Sequence, residues 1–202
     1  KLANSNDHPR FVPPVFDMLT RDSFFLVEQE NISAVNEALE RELANAARHS
    51  PACTLLLSVP GIGLLTATAM VAATSGDVTH FKDARHFASW FGLTPREFSS
   101  GSTRFLGRIS KQGDRYLRML LTHGARSVLR AASAAVQKGK VLSGVREWAL
   151  GVQARSNHNK ATCALANKLA RICYATLRDH EVFDENSPAA RKGRRQTFAM
   201  PA

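Results

Sequence analysis

The sequence predicts a mainly α-helical protein, a helical bundle with a helix-hairpin-helix element, preceded by a long amphipathic, coiled-coil-like helix. Three observations carry this. Apolar residues recur at spacings of three and four along most of the chain. No clear run alternates apolar with polar residues, as a half-buried strand would. Glycine, proline and N-capping residues fall where the periodic segments start and stop. With 202 residues, 44% of them hydrophobic, the chain can bury one sizeable core or two small ones.

Residues 1–23 hold Pro9, Pro13 and Pro14 and read as an irregular lead-in. From Ser23 to Ser50, Ile32, Val35, Leu39, Leu43 and Ala46 follow helical spacing, and Phe25, Ile32, Leu39 and Ala46 lie seven apart. This predicts a stalk helix over 24–50, packed on its own domain or paired with a second copy. A helical domain over 51–180 follows, opening with a short apolar helix from Cys53 to Val59.

"SVPGIGLLTATAMVAAT" (Ser58–Thr74) then sets a tight turn, Pro60-Gly61-Ile62-Gly63, ahead of a small-residue helix. That is the helix-hairpin-helix pattern, in which glycines let the backbone approach a partner and the next helix offers its first N–H groups to phosphate. An ordinary αα-hairpin with a Pro-Gly turn has the same pattern. "HFKDARHFASWFGLTP" (His80–Pro95) reads as a helix with Phe81, Ala84, Phe87, Ala88 and Phe91 on one side. Phe87, Trp90 and Phe91 suit a base-stacking set, but core packing is the better reading.

Gly113 and Asp114 mark the start of a long helix with an Asp N-cap. Its expected buried face is Leu117, Leu120, Leu121, Gly124, Val128 and Ala131. Arg115, Arg118, Arg126 and Arg130 form a basic stripe that suits a phosphate track or a solvated face. A helix ending near Ser156 and a last one over Asn157–Leu177 complete the domain. On the last helix Asn159, Lys160, Asn167, Lys168 and Arg171 lie off the apolar side, within reach of a phosphate. Residues 181–202, with "RKGRR" at Arg191–Arg195, read as a disordered basic tail.

The net charge of +10 is uneven. Residues 1–95 sum to −3 and residues 96–202 to +13. A basic half of that size attracts polyanions, of which nucleic acid is the commonest. No apolar run reaches the roughly 20 residues of a membrane span, and no secretion leader is seen. Cys53, Cys163 and Cys173 are an odd, sparse set, read as small buried hydrophobes in a reducing cytosol; a disulfide framework or zinc site is not expected. These features predict a cytoplasmic protein with no membrane partner and no cofactor or metal ligands of its own.

The chemistry concentrates in "REFSSGSTRFLGRISKQGDRYL" (Arg96–Leu117). Ser99, Ser100 and Ser102 offer hydroxyls, and Arg96, Arg104, Arg108 and Lys111 offer donors for a phosphate. Gly101 lets the backbone at Ser100 come close to DNA. Glu97 and Asp114 are candidate bases by distance alone. On the residues alone, a DNA-contacting loop is a better reading than a catalytic serine.

"PGIG", "WFGLTP", "SSG", "LGRISKQGDRYLR" and "NKA" occur in that order between about Leu55 and Leu177. This stretch resembles the C-terminal transposase domain of the DEDD-type, bridge-RNA-guided insertion-sequence transposases. The preceding helix resembles that family's stalk. The resemblance implies a serine nucleophile just before a glycine, which is Ser100, with Ser99 as the fallback, and a 5′-phosphoserine link to DNA. It places Arg104, Arg108, Ser110 and Lys111 by the DNA backbone. It also implies a guide RNA partner and a homo-oligomer through the 24–50 helix. The family's RuvC-like domain with its Asp-Glu-Asp-Asp magnesium site is far longer than residues 1–23. The expectation is therefore a fragment or truncated gene, inactive alone, with magnesium held only by the missing domain. The other reading is a non-catalytic helix-hairpin-helix module that binds DNA or RNA. A third is an interaction domain dimerised through its long helix.

Overall fold

The computed structural model describes residues 15–185, with side chains from residue 31 onward. The described helices are α1 (Val15–Arg48), α2 (Pro51–Leu57), α3 (Leu64–Thr74), α4 (Ala84–Trp90), α5 (Arg115–Gln137), α6 (Gly144–Arg155) and α7 (His158–Asp179). Two short strands, β1 (Pro95–Glu97) and β2 (Leu106–Ile109), sit between α4 and α5. The protein is mainly helical, as its periodicity predicts. It divides into two compact units, one ending at Glu42 and the other starting at Leu43.

In the first unit α1 is already helical at Val15, within the stretch expected to be irregular. The reason is local: no proline or glycine occurs between Val15 and Ser50. Residues 1–14 lie outside the described residues. Ile32, Val35 and Leu39 share a face at spacings of three and four, yet are 53%, 58% and 52% exposed. The Glu37–Arg41 pair at 3.3 Å is solvated on both sides and adds a few tenths of a kcal/mol at most.

The second unit is organised around α7, which packs against α2, α4, α5 and α6. Leu165, Leu169 and Leu177 fill space while Ala161, Ala166 and Ala170 let neighbouring helices come close; all are buried. α5 contributes Leu117, Leu121, Ala125, Val128, Leu129 and Ala132. Its buried stripe is thus rotated from the expected one. Ala131 faces out, and Ala125 and Ala132 take the inner positions.

Aromatic packing closes the core beside α4. Phe87 meets Phe81 and Phe91 edge-on at centroid distances of 4.9 and 4.8 Å, and Tyr174 at 5.7 Å. Phe87 and Phe91 are fully buried and Trp90 packs against the same core. These rings fill the interior rather than stack on bases. Each fully buried phenylalanine contributes about 1.5–3 kcal/mol through removal from water.

Helix starts follow their sequence signals. The side chains of Asp83, Asp114 and Asn157 each accept a backbone N–H at 2.8 Å, and Ser50 Oγ accepts Cys53 N–H at 3.3 Å. Cys53 and Cys173 are buried, Cys163 is half-buried, and all three are free thiols. Burial pushes the Cys173 thiol up to about 12, so it stays protonated and unreactive. The expected tail starts anchored. Phe183 N–H donates to Ser58 Oγ at 2.9 Å and its ring packs on the core. Residues 186–202, with Arg191–Arg195, lie outside the described residues.

α2 and α3 form an αα-hairpin. Its turn is pressed against α5, where Gly61 and Gly124 meet backbone to backbone. A Cβ on Gly61 would sit 2.6 Å from Val128 Cγ2, and one on Gly124 would run into the Gly61 carbonyl oxygen. Alanine is normally favoured over glycine inside a helix by about 1 kcal/mol. Gly124→Ala should instead destabilise the protein by about 1–3 kcal/mol through overpacking. Gly151→Ala in α6, where a Cβ meets nothing within 4 Å, should be neutral or stabilising. Denaturant midpoints of the two variants check this; a Gly124→Ala protein as stable as the wild type would remove the close contact.

Candidate nucleic-acid interface

The Ser/Gly/Arg segment is a β-hairpin rather than a plain loop. Pro95 lies opposite Ile109 and Glu97 opposite Leu106, with one extra residue on the β2 side between those pairs. Beyond the strands, Phe98 N–H donates to the Phe105 carbonyl at 2.9 Å. Ser100 and Thr103 exchange two backbone bonds of 3.1 Å. Gly101 and Ser102 make a two-residue tip. Gly101 has φ +58°, as the first central position of a type II′ turn requires. The expected role of Gly101 in close approach to DNA thus comes with a structural one, reversing the chain.

The hairpin is held at its base. Ser110 N–H donates to Thr94 O at 2.9 Å, Lys111 N–H to Gly92 O at 3.0 Å and Asp114 N–H to Trp90 O at 3.2 Å. Arg118 Nη1 donates to Phe91 O at 2.9 Å. Arg118, expected as a DNA contact, is therefore half-buried and engaged inside the fold. Asp114, a candidate base by distance, is occupied as the α5 N-cap.

The two favoured serines differ in their surroundings. Ser99 Oγ donates to Glu97 Oε1 at 2.8 Å and accepts Phe105 N–H at 3.3 Å. Arg104 Nε donates to the same Glu97 oxygen at 3.1 Å. The Ser99 hydrogen bond, and then the Arg104 charge, hold the Glu97 carboxyl below its ordinary value of 4.5. Among the described residues, no hydrogen bond to the Ser100 hydroxyl is found. Strand alternation turns it to the opposite face from Ser99. Glu97 was a candidate on proximity alone, and the geometry makes it the acceptor of Ser99.

The hairpin and its base bring Ser99, Ser100, Gly101, Arg96, Arg104, Arg108, Ser110 and Lys111 together, with Arg115 in the first turn of α5. Arg96 Nη2 reaches the Ser110 carbonyl at 3.4 Å. Arg108, Lys111 and Arg115 are exposed, and Arg96 to Lys111 carries a net charge of +3. The Pro60–Gly63 turn lies elsewhere, at Gly124, about two and a half turns along α5. Within it Ile62 is buried, Pro60 and Gly61 are half-buried, and Gly63 is exposed. Asn159 and Lys160 are exposed in the first turn of α7. Asn167 is committed to the Leu93 carbonyl at 3.2 Å, and Lys168 lies over the Trp148 ring at 4.5 Å.

Sequence reasoning missed the pairing of Phe98 with Phe105. The signal was present: two aromatics stand equidistant from the Gly101-Ser102 turn. Among the described residues no three His, Cys, Asp or Glu side chains cluster to hold a metal. The described residues therefore offer no set that fits a magnesium ion. No described helix is long and apolar enough to cross a membrane.

Residues 53–139, from α2 through the hairpin to the end of α5, match the family model described as "Transposase IS116/IS110/IS902 family". A "Probable family 20 transposase" of Pseudomonas aeruginosa is 43% identical over 150 residues, 74% of this chain and 42% of that protein. The "Transposase for insertion sequence element IS1328" of Yersinia enterocolitica is 38% identical over 74% of the chain and 42% of its own length. A "Pilin gene-inverting protein" of Moraxella bovis is 32% identical over 65% of the chain and 38% of its length. The chain thus spans about two-fifths of the length of the curated relatives it matches. Residues 53–139, hairpin included, are thus similar to the IS116/IS110/IS902 family of insertion-sequence transposases.

Proposed function

We propose that this chain supplies the strand-joining part of an insertion-sequence transposase, with the hairpin delivering a serine to a DNA phosphate. The single observation behind this reading is an exposed, cationic hairpin on which a serine hydroxyl is held by a carboxylate that also holds an arginine. Serine Oγ forms a bond to phosphorus as the bond from phosphorus to the 3′ oxygen breaks. The hydroxyl loses its proton, the 3′ oxygen gains one, and the 5′ phosphate stays on serine. Arg104 engages only its Nε among the described residues, leaving its Nη groups for phosphate oxygens. A carboxyl held below its ordinary pKa is a weak proton acceptor, so Glu97 orients the hydroxyl and the guanidinium rather than removing the proton.

This assignment puts Ser99 beside Ser100 as nucleophile. Ser100 has the place that the family resemblance implies, and Ser99 has the partners. Arg96, Arg108, Ser110, Lys111 and Arg115 contact the backbone near the reacting phosphate. Pro60–Gly63, Asn159 and Lys160 contact more distant phosphates. Catalysis also requires the acidic metal-binding domain and the guide RNA that the resemblance implies. A second reading is binding without cleavage, which the exposed cations of the hairpin support equally. The exposed Ile32–Val35–Leu39 face of α1 supports self-association through that helix.

With the acidic domain and guide RNA added, a cleaved target strand should become covalently attached to the chain. Ser99→Ala or Ser100→Ala should abolish the adduct, and denaturing gels identify which. Persistence in both variants would leave the binding module, whose affinity should fall with salt in proportion to the phosphates neutralised. The sign of the Glu97 shift gives a separate check. A depressed carboxyl stabilises its arrangement above 4.5 and loses that contribution as pH falls through the lower folded value. NMR titration should place Glu97 below 4.5 in the wild type and closer to it in Ser99→Ala. Identical midpoints would dissolve the network. Ile32→Asp or Leu39→Asp should reduce the mass in solution by light scattering, and an unchanged mass removes the α1 interface.

A further inference from the structure

The hairpin has a second face that phosphate chemistry leaves unused. Phe98 and Phe105 form a cross-strand pair with ring centroids 6.3 Å apart and planes tilted by 51°. They are 63% and 62% exposed, each with most of its ring in water. Phe98 lies over Gly107, where a Cβ would come within 2.9 Å of its ring. The bare glycine backbone therefore gives the ring its seat. Pairing across the strands explains why the rings touch, but not why aromatic faces are left outward on a segment of net charge +3.

We infer that the Phe98–Phe105 face is a stacking platform for unpaired DNA bases next to the phosphates held by the hairpin arginines. The inference rests on the DNA reading above and adds to it the state of the DNA. The occupant must carry negative charge for Arg96, Arg104, Arg108 and Lys111, and a flat apolar surface for the rings. A nucleic-acid strand offers both. Bases within a duplex present only their edges in the grooves, so the ring faces of this platform need an unstacked or single-stranded base. The rings are too close and too tilted to sandwich a base between them, so bases stack on their outer sides. The carboxylate–serine–arginine set lies on the other face of the ribbon. A strand crossing the tip thus meets rings on one side and charge on the other.

The test uses the full chain and fluorescence anisotropy with three labelled probes of one mixed sequence: single-stranded DNA, single-stranded RNA and blunt duplex DNA. Phe98→Ala and Phe105→Ala should each weaken single-stranded DNA binding by on the order of tenfold. Both should leave duplex binding and the salt slope unchanged. Phe98→Leu and Phe105→Leu, apolar but without a π-face, should behave like the alanine variants, and the Trp variants should bind as the wild type does. Circular dichroism should be the same throughout, since both rings are exposed. Unchanged affinity in the alanine variants overturns the platform. So does an equal loss on single strand and duplex, a loss confined to RNA, or a drop in mass that marks the face as a protein contact. If the wild type binds none of the probes, the DNA reading fails and the platform with it. Intact salt-dependent binding that ignores the rings overturns the platform alone.

Discussion

The end of α4 and the start of α5 are tied to each other by three backbone hydrogen bonds and the Arg118 guanidinium, and the exposed chemistry depends on that tie. Ser110, Lys111 and Asp114 bond back to Thr94, Gly92 and Trp90, and Arg118 closes the same seam through Phe91. A two-stranded hairpin alone in water is marginal. Here its base is fixed by two helices whose inner faces belong to the main core, through Phe87 and Phe91 on one side and Leu117 and Leu121 on the other. Loss of core packing would therefore loosen the serine-bearing tip without touching it.

No charged side chain is buried among the described residues. Cations stand on the hairpin and on exposed turns of α5 and α7, where solvation costs nothing and a polyanion can reach them. Arg118 is half-buried instead, and its guanidinium meets the Phe91 carbonyl left over at the end of α4. The α2–α3 hairpin obeys a different constraint. Its Pro-Gly turn is shaped first for contact with Gly124, so only Gly63 remains fully open to a partner.

Helices were legible in the sequence because their signals are local. Asp114 caps α5 and Asn157 caps α7, where a capping residue precedes apolar periodicity. The rotated face of α5 was not legible, since one helical turn offers both Ala131 and Ala132 and only the neighbouring helix decides between them. The hairpin was missed because its strands are short and its residues mostly exposed, so no apolar alternation marks them. The site was half legible. Its serines and arginines stand out by type, but the preference of Glu97 for Ser99 depends on which side of a ribbon each residue leaves, a property of pairing rather than of order along the chain.

The extra residue in β2 separates two kinds of control. At the base, Pro95 faces Ile109 because the helices impose it; toward the tip, Glu97 faces Leu106 because the two-residue turn imposes it. The two registers differ by one, and the bulge absorbs the difference. The pairing register of the tip is thus set separately from that of the base. The turn can be exchanged for another of the same parity without disturbing the seam. A change of odd length would shift which residues on the β2 side stand opposite Ser99 and Phe98.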